Sequence, residues 1–165
     1  MEHQILEFFA NTPVNHAIRN ISWLFAVCET VHFFGLSVLF GSLLLVDLRL
    51  IGVWKVGSGK AAVQFTYVAM VGFALNLISG FGCFSNNPES YWANPTFRLK
   101  MLLIAFAGLN LLWFELREKR KVALLASGEA ADFESKIVAS VSLILWTLVI
   151  VAGRWLPVTA GGGNS

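Results

Sequence analysis

Apolar residues run in four long blocks, about 21–48, 62–83, 99–117 and 137–157, divided by short polar stretches. A bilayer core about 30 Å thick is crossed by about 20 residues of helix, so each block predicts a membrane span, with the first long enough to tilt. The connections read "RLIGVWKVGSGK", "FSNNPESYWANPTF" and "REKRKVALLASGEAADFESK". The last is expected to be a solvated turn with some helix. Nothing repeats along the chain. Residues 1–20, "MEHQILEFFANTPVNHAIRN", mix apolar and polar positions and predict an interfacial helix that ends near Asn11-Thr12-Pro13 and turns into the first span. The tail "TAGGGNS" is low in complexity. The expected organisation is an N-terminal interfacial segment at 1–20, a transmembrane domain at 21–157 and a disordered tail at 158–165. The fold class is all-α, an integral membrane four-helix bundle with a short N-terminal interfacial helix.

Composition agrees. Of 165 residues, 56% are hydrophobic and 13% charged, with a mean hydropathy of +0.68; soluble domains run near a quarter charged. A net charge of +2, segregated along the chain, argues against nucleic acid as a partner. Cys28 and Cys83 match neither a disulfide framework nor a CxxC metal motif and read as small apolar residues within helices. The first residues carry Glu2 and Glu7 and lack a basic stretch, so no signal peptide is expected.

Charge placement predicts orientation. The first connection holds Arg49, Lys55 and Lys60, and the third holds Arg117, Lys119, Arg120, Lys121 and Lys136, which is eight of the twelve basic residues. Both should face the cytoplasm, leaving both termini and the second connection outside. Tyr91, Trp92 and Trp155 then read as interfacial anchors.

The segment "ETVHFFGLSVLFGSLLLVDLRLIGV" carries Glu29 and His32 one turn apart within hydrocarbon. At 1.5 Å per residue, His32 lies about 16 Å into the first span. Asn76, Arg98, Lys100 and Arg154 fall in the same half of the bundle. Ionisable groups at such depth cost at least a few kcal/mol and are placed facing the interior, paired or bound. Glu29 either pairs with Lys100 or Arg154 or serves a site. His32 either hydrogen-bonds between helices or acts as a ligand, since neutral imidazole binds haem iron and copper. Gly35 and Gly41 leave room for a large flat group or for a close helix. A single E-x-x-H cannot build a di-iron centre, which needs two such motifs and further carboxylates. Asp47, Arg49, Glu115 and Arg117 are expected to form an ion-pair cluster tying helix ends together. His3 and His16 read as surface residues.

The stretches "ETVHFFGLSVLFGSLLLVDLRLIGV", "NPTFRLKMLLIAFAGLNLLWFE" and "LILWTLVIVAGRW" resemble a family of small, uncharacterised four-span bacterial inner-membrane proteins. More distantly the layout is similar to HemJ-type protoporphyrinogen oxidases and to the membrane domain of CopD-like copper proteins. HemJ-type proteins have a first-span histidine followed by glycine and arginine, matched here by His32, Gly41 and Arg49, and a lysine opening the third span, matched by Lys100. That resemblance implies haem b held by His32, and a functional role for Lys100. Glu115 or a neighbour stands where that class has a third-span histidine, and Arg154 replaces its Lys-Pro ending, so porphyrinogen oxidation is not carried over.

The function expected from these readings is a haem b protein acting in electron transfer or as an oxidoreductase component. His32 would be the iron ligand, Glu29 a hydrogen-bond or proton partner, Arg98, Lys100 and Arg154 the propionate partners, and Asn76 a further pocket residue. A second axial ligand would come from Met70, Met101, a neighbouring chain, or not at all. No catalytic residue is identified. Expected partners are membrane lipid, a redox partner or quinone, and further copies of the chain in a homo-oligomer. The rival readings are a copper- or proton-linked permease and a cofactor-free accessory subunit.

Overall fold

The computed structural model describes residues 12–54 and 57–161. Its helices are α1 (Pro13–Asn20), α2 (Ser22–Ile51), α3 (Gly59–Asn86), α4 (Pro88–Ala93), α5 (Pro95–Trp113), α6 (Lys119–Leu124) and α7 (Phe133–Gly161), with a π-helical stretch, Phe114–Glu118, joining α5 to α6. Four stretches are long and apolar enough to cross a membrane: Trp23–Ile51, Gly59–Asn86, Pro95–Leu124 and Phe133–Thr159. The chain is thus an all-α, multi-pass membrane protein, with no strand among the described residues.

Three boundaries depart from the sequence reading. Thr12-Pro13 opens a helix instead of ending one: Thr12 Oγ1 accepts a hydrogen bond from the Asn15 N–H at 3.3 Å, and proline occupies the first turn, where its missing N–H costs nothing. Residues 1–11, the rest of the expected interfacial helix, lie outside the described residues, as do 162–165. Residues 158–161 continue α7 and are not a disordered tail. Thr159 ties them down by exchanging hydrogen bonds with Asn94, at 3.0 Å from Asn94 Nδ2 and 3.1 Å to Asn94 Oδ1. The third span also runs past Arg117 to Leu124, because the π-helical stretch keeps the helix unbroken through "FELRE".

Packing sets the order of the helices. α2 lies closest to α3 and also packs on α7, which in turn carries α5. Mid-bundle, Leu39, Leu43, Ala69, Ala107, Trp146 and Val149 form one buried cluster, with Phe73 edge-on to Trp146 at 5.7 Å. A second cluster, around Val46, Leu50, Phe114 and Val122, closes the end that bears Arg49. Phe33 and Phe34, 64% and 69% exposed, show that α2 keeps one face for lipid.

At that same end Asp132 caps α7, its Oδ1 accepting from the Ser135 N–H at 3.0 Å. Hydrogen bonds from Ser135, through hydroxyl and backbone, with Lys121 nearby, hold the Asp132 carboxyl below its ordinary range. A depressed carboxyl adds stability above its unfolded pKa of about 3.9 and loses it as pH falls through the lower folded value. The start of α7 is therefore expected to fray in acid below about pH 4, seen as faster hydrogen exchange over 133–138. Asp132→Ala should show that fast exchange already at pH 7. Equal exchange in the two proteins at pH 7 would remove Asp132 as the cap.

Candidate functional site

Small residues on α3 let α2 approach closely. A Cβ built at Gly72 would lie 2.5 Å from Leu39 N, and one at Gly35 would lie 2.9 Å from Asn76 N. Gly35 therefore serves a close helix. Gly41 has nothing within 4 Å of its Cβ position, so it packs against neither a helix nor any other described residue.

One turn outward from this contact sits His32, half-buried. Its ring lies over Gly80, where a Cβ would be 3.0 Å from Cε1. His32 Nδ1 is 3.2 Å from Ser79 Oγ. The Ser79 hydroxyl proton is already committed to its own helix, to Leu75 O at 2.7 Å and Asn76 O at 3.3 Å. A hydroxyl has one proton to give, so Nδ1 carries the ring hydrogen and donates to Ser79. Nε2 is then the bare nitrogen, and it has no hydrogen-bond partner among the described residues. Asn76 Nδ2 donates to the His32 backbone carbonyl at 2.9 Å, which ties the His32 turn of α2 to α3. Asn76 thus acts on the backbone of His32, where one of its two amide hydrogens is used.

The other expected site residues divide. Lys100 is half-buried, and its Nζ lies 3.4 Å from the Cβ position of Gly153, immediately before Arg154. Two features hold it there. Asn94 caps α5, its Oδ1 accepting from the Thr96 N–H at 2.9 Å, and it clasps the end of α7 through Thr159. Phe84 stacks on Phe97 at 5.4 Å with Tyr91 alongside, joining the end of α3 to the start of α5. Burial, followed by Cys83 and Glu29 nearby, pushes the Tyr91 phenol above its ordinary pKa. Lys100 is close enough to interact electrostatically with both His32 and Cys83.

Arg154 and Glu29 are exposed, and among the described residues no ion pair joins Glu29 to Lys100 or Arg154. Arg98 turns back on the connection, its Nε donating to Trp92 O at 2.8 Å with the guanidinium 5.7 Å from the Trp92 ring. It is not brought to His32. Met70 and Met101 are 40% and 38% exposed. Met70 also lies ten residues from Gly80 along α3, about 15 Å from the imidazole, too far to be its axial partner.

Ser79 escaped the sequence reading, although it follows Asn76 at helical spacing on the Gly72 stripe. The two cysteines, read as unrelated, meet across the α2–α3 seam: Cys28 Sγ lies 2.9 Å from the Cβ position of Gly82 and interacts with Cys83.

The expected ion-pair cluster at the other end does not form. Arg49 donates to Gly57 O at 3.0 Å and Ala126 O at 3.1 Å; Glu115 takes Lys119 at 2.6 Å; and Arg117 covers Trp113 at 5.6 Å. Each of these three finds a nearer partner in its own helix or in a loop carbonyl, which costs less side-chain ordering than a pair across helices, while Asp47 faces Ser142 of α7. Glu118, placed by the sequence in a solvated connection, is fully buried and accepts from Ser135 Oγ at 2.6 Å and Lys121 Nζ at 3.1 Å. Glu118, Asp132 and Glu134 gather around Lys121, whose ammonium answers all three.

A helical multi-pass membrane protein with one oriented, half-buried imidazole is the class that fold and site define. Comparisons of the chain with protein-family models, with curated proteins and with solved structures find no match.

Proposed function

We propose that this is a haem b-binding protein of the bacterial inner membrane, acting in electron transfer or as an oxidoreductase component, with His32 Nε2 as the iron ligand. The observation that carries the reading is the Nδ1–H bond to Ser79. Ligating histidines typically donate their second ring N–H to an oxygen that fixes tautomer and orientation. Here that oxygen is in place and Nε2 is bare. The resemblance of His32, Gly41, Arg49 and Lys100 to the HemJ-type pattern points the same way. Bound haem would supply one-electron chemistry between ferric and ferrous iron. Lys100, whose ammonium reaches Gly153 at the α5–α7 seam, and Arg154, the next residue along α7, would partner the propionates, and Glu29 would exchange protons at the lipid-side edge. Arg98 is the least fitted of the expected cations, its Nε being held by Trp92.

Purified from haem-replete cells, the protein should be red, with a Soret band and a reduced α-band of haem b. His32→Ala should lose both bands while keeping its helicity. Ser79→Ala should keep the haem but shift its midpoint potential, because the imidazole loses the oxygen on Nδ1. Lys100→Gln should weaken haem retention. Colourless wild-type protein, or a His32→Ala spectrum unchanged from wild type, sinks the proposal. A copper-linked permease is the second reading, resting on Cys28 and Cys83, soft sulfur ligands at the α2–α3 seam that also carries His32. It requires copper in the purified protein and no Soret band.

Orientation belongs to the same proposal. The Arg49 end should face the cytoplasm. A cysteine introduced beside Lys121 should resist membrane-impermeant maleimides in intact spheroplasts, and one beside Trp92 should react; labelling in the reverse sense inverts the bundle.

A further inference from the structure

At the opposite end of the bundle from His32, α2, α3, α5 and α7 enclose a cavity with about 20 Å³ open to the centre of a water-sized sphere, room for one water or one small ion. Its walls are mostly apolar, including Leu43, Val46, Phe114 and Trp146. Four polar side chains interrupt them: Asp47, Thr66, Asn110 and Ser142. Asp47 is 3% exposed, and its Oδ2 is buried with no hydrogen-bond partner among the described residues.

The donor inventory decides what this carboxyl needs. Asn110 spends one of its two amide hydrogens on Val138 O at 3.1 Å, and Thr66 spends its hydroxyl hydrogen on Ala62 O at 3.2 Å. Thr66 therefore offers the cavity an acceptor oxygen only, and Asn110 offers its carbonyl oxygen beside the amide nitrogen held by Val138. Ser142 lies against the Asp47 carboxyl and has a single proton to give. Among the described residues no cation pairs with this carboxylate. Arg49 is held by the carbonyls of Gly57 and Ala126. Lys119 is held by Glu115 and Lys121 by Glu118, while Lys60 and Lys136 form no ion pair among the described residues. One buried carboxylate oxygen thus shares a water-sized space with acceptor oxygens from three other helices.

We propose that this cavity binds one sodium ion, coordinated by Asp47 together with oxygens of Thr66, Asn110 and Ser142. An all-oxygen set suits a hard cation, and one carboxylate matches one positive charge. Calcium and magnesium would bring a second charge with no second carboxylate facing it: Glu115 is paired with Lys119, and Glu118 with Lys121 and Ser135. Asp47 lies four residues from the end of α2, about 6 Å of helix, so an ion reaches it from the Arg49 side of the membrane. Binding would also tie four helices together where otherwise an unpaired acceptor faces a void. The site involves none of the residues assigned to haem.

Thermal unfolding of the detergent-solubilised full chain tests this, at pH 8 and constant ionic strength, with sodium chloride exchanged for potassium or choline chloride. Sodium should raise the Tm saturably and potassium much less. Asp47→Asn, which keeps the shape and removes the charge, should abolish the sodium-specific rise. Ser142→Ala and Thr66→Val should each raise the half-saturating sodium concentration at least tenfold, and they keep the test decisive if Asp47→Asn fails to fold. His32→Ala should leave the sodium response intact, so the two sites fail or stand separately. Identical curves in the three salts, a response retained by Asp47→Asn or by both hydroxyl variants, or a Tm that follows pH but not sodium would overturn the site.

Discussion

Gly72→Ala is expected to be among the most damaging single-methyl changes in this protein. The new Cβ would meet Leu39 N at 2.5 Å, Gly35 O at 2.9 Å and Leu39 Cα at 3.0 Å, all backbone atoms of the facing helix. No side chain can rotate away, so α2 and α3 must separate. In a bilayer the contact has little hydrophobic force to restore it, because lipid tails are as apolar as the helix surface. Close packing and the bonds it permits are what hold the pair. Overpacking a well-fitted contact costs typically 1–3 kcal/mol, and a clash with rigid backbone belongs at the upper end, about 3 kcal/mol. The effect should reach the site, since His32 meets Ser79 and Gly80 about two turns along the same seam. Unfolding by dodecyl sulfate, followed by circular dichroism, should show the loss, and under the proposed function haem content should fall in parallel. Gly41→Ala is the control: its Cβ meets nothing within 4 Å, and alanine is the better helix former, so that variant should be neutral or slightly more stable. Equal behaviour of the two variants would mean that the α2–α3 approach does not limit stability.

Arg49→Met should be comparably costly at the other end. Arg49 is buried, and its guanidinium donates to a carbonyl in each of two connections, Gly57 O and Ala126 O. It is the clip between the 52–58 and 125–132 segments. Hydrogen bonds to charged groups contribute about 1.5–3 kcal/mol, and removing the donor strands two carbonyls in a poorly hydrated place, so a loss of about 3 kcal/mol is expected. Ala126 also lies just beyond the C-terminus of α6, where the helix dipole favours a cation. Arg49→Lys should recover less than half, because an ammonium lacks the fork that spans both acceptors. Limited proteolysis should show both connections cut faster in Arg49→Met, although Arg49 itself lies in neither. If only the first connection becomes labile, or stability stays within half a kcal/mol of wild type, the clip is not what holds them.

The four spans were legible in the chain because a span is decided locally: about 20 apolar residues with no place in water must become helix in lipid, whatever they pack against. His32 was legible as a candidate for the same reason, since a polar group at that depth stands out against its own neighbours. Partners were not legible, because they are set by which faces meet. Glu29 seemed to require Lys100 or Arg154, yet it sits exposed on α2 with no ion pair among the described residues, while Lys100 is drawn to Gly153 by a clasp between Asn94 and Thr159. Ser79 became the oxygen beneath the imidazole only when the Gly35–Gly72 approach brought α3 within 3.2 Å of it. Asp47 and Arg49, adjacent in sequence and opposite in sign, invited a pairing. Two residues apart on a helix their side chains point about 200° apart, so one entered the bundle and the other reached the loops. Hydropathy reads the energy of each residue against its solvent. Pairing depends on distances between residues tens of positions apart, and those exist only after the helices have packed.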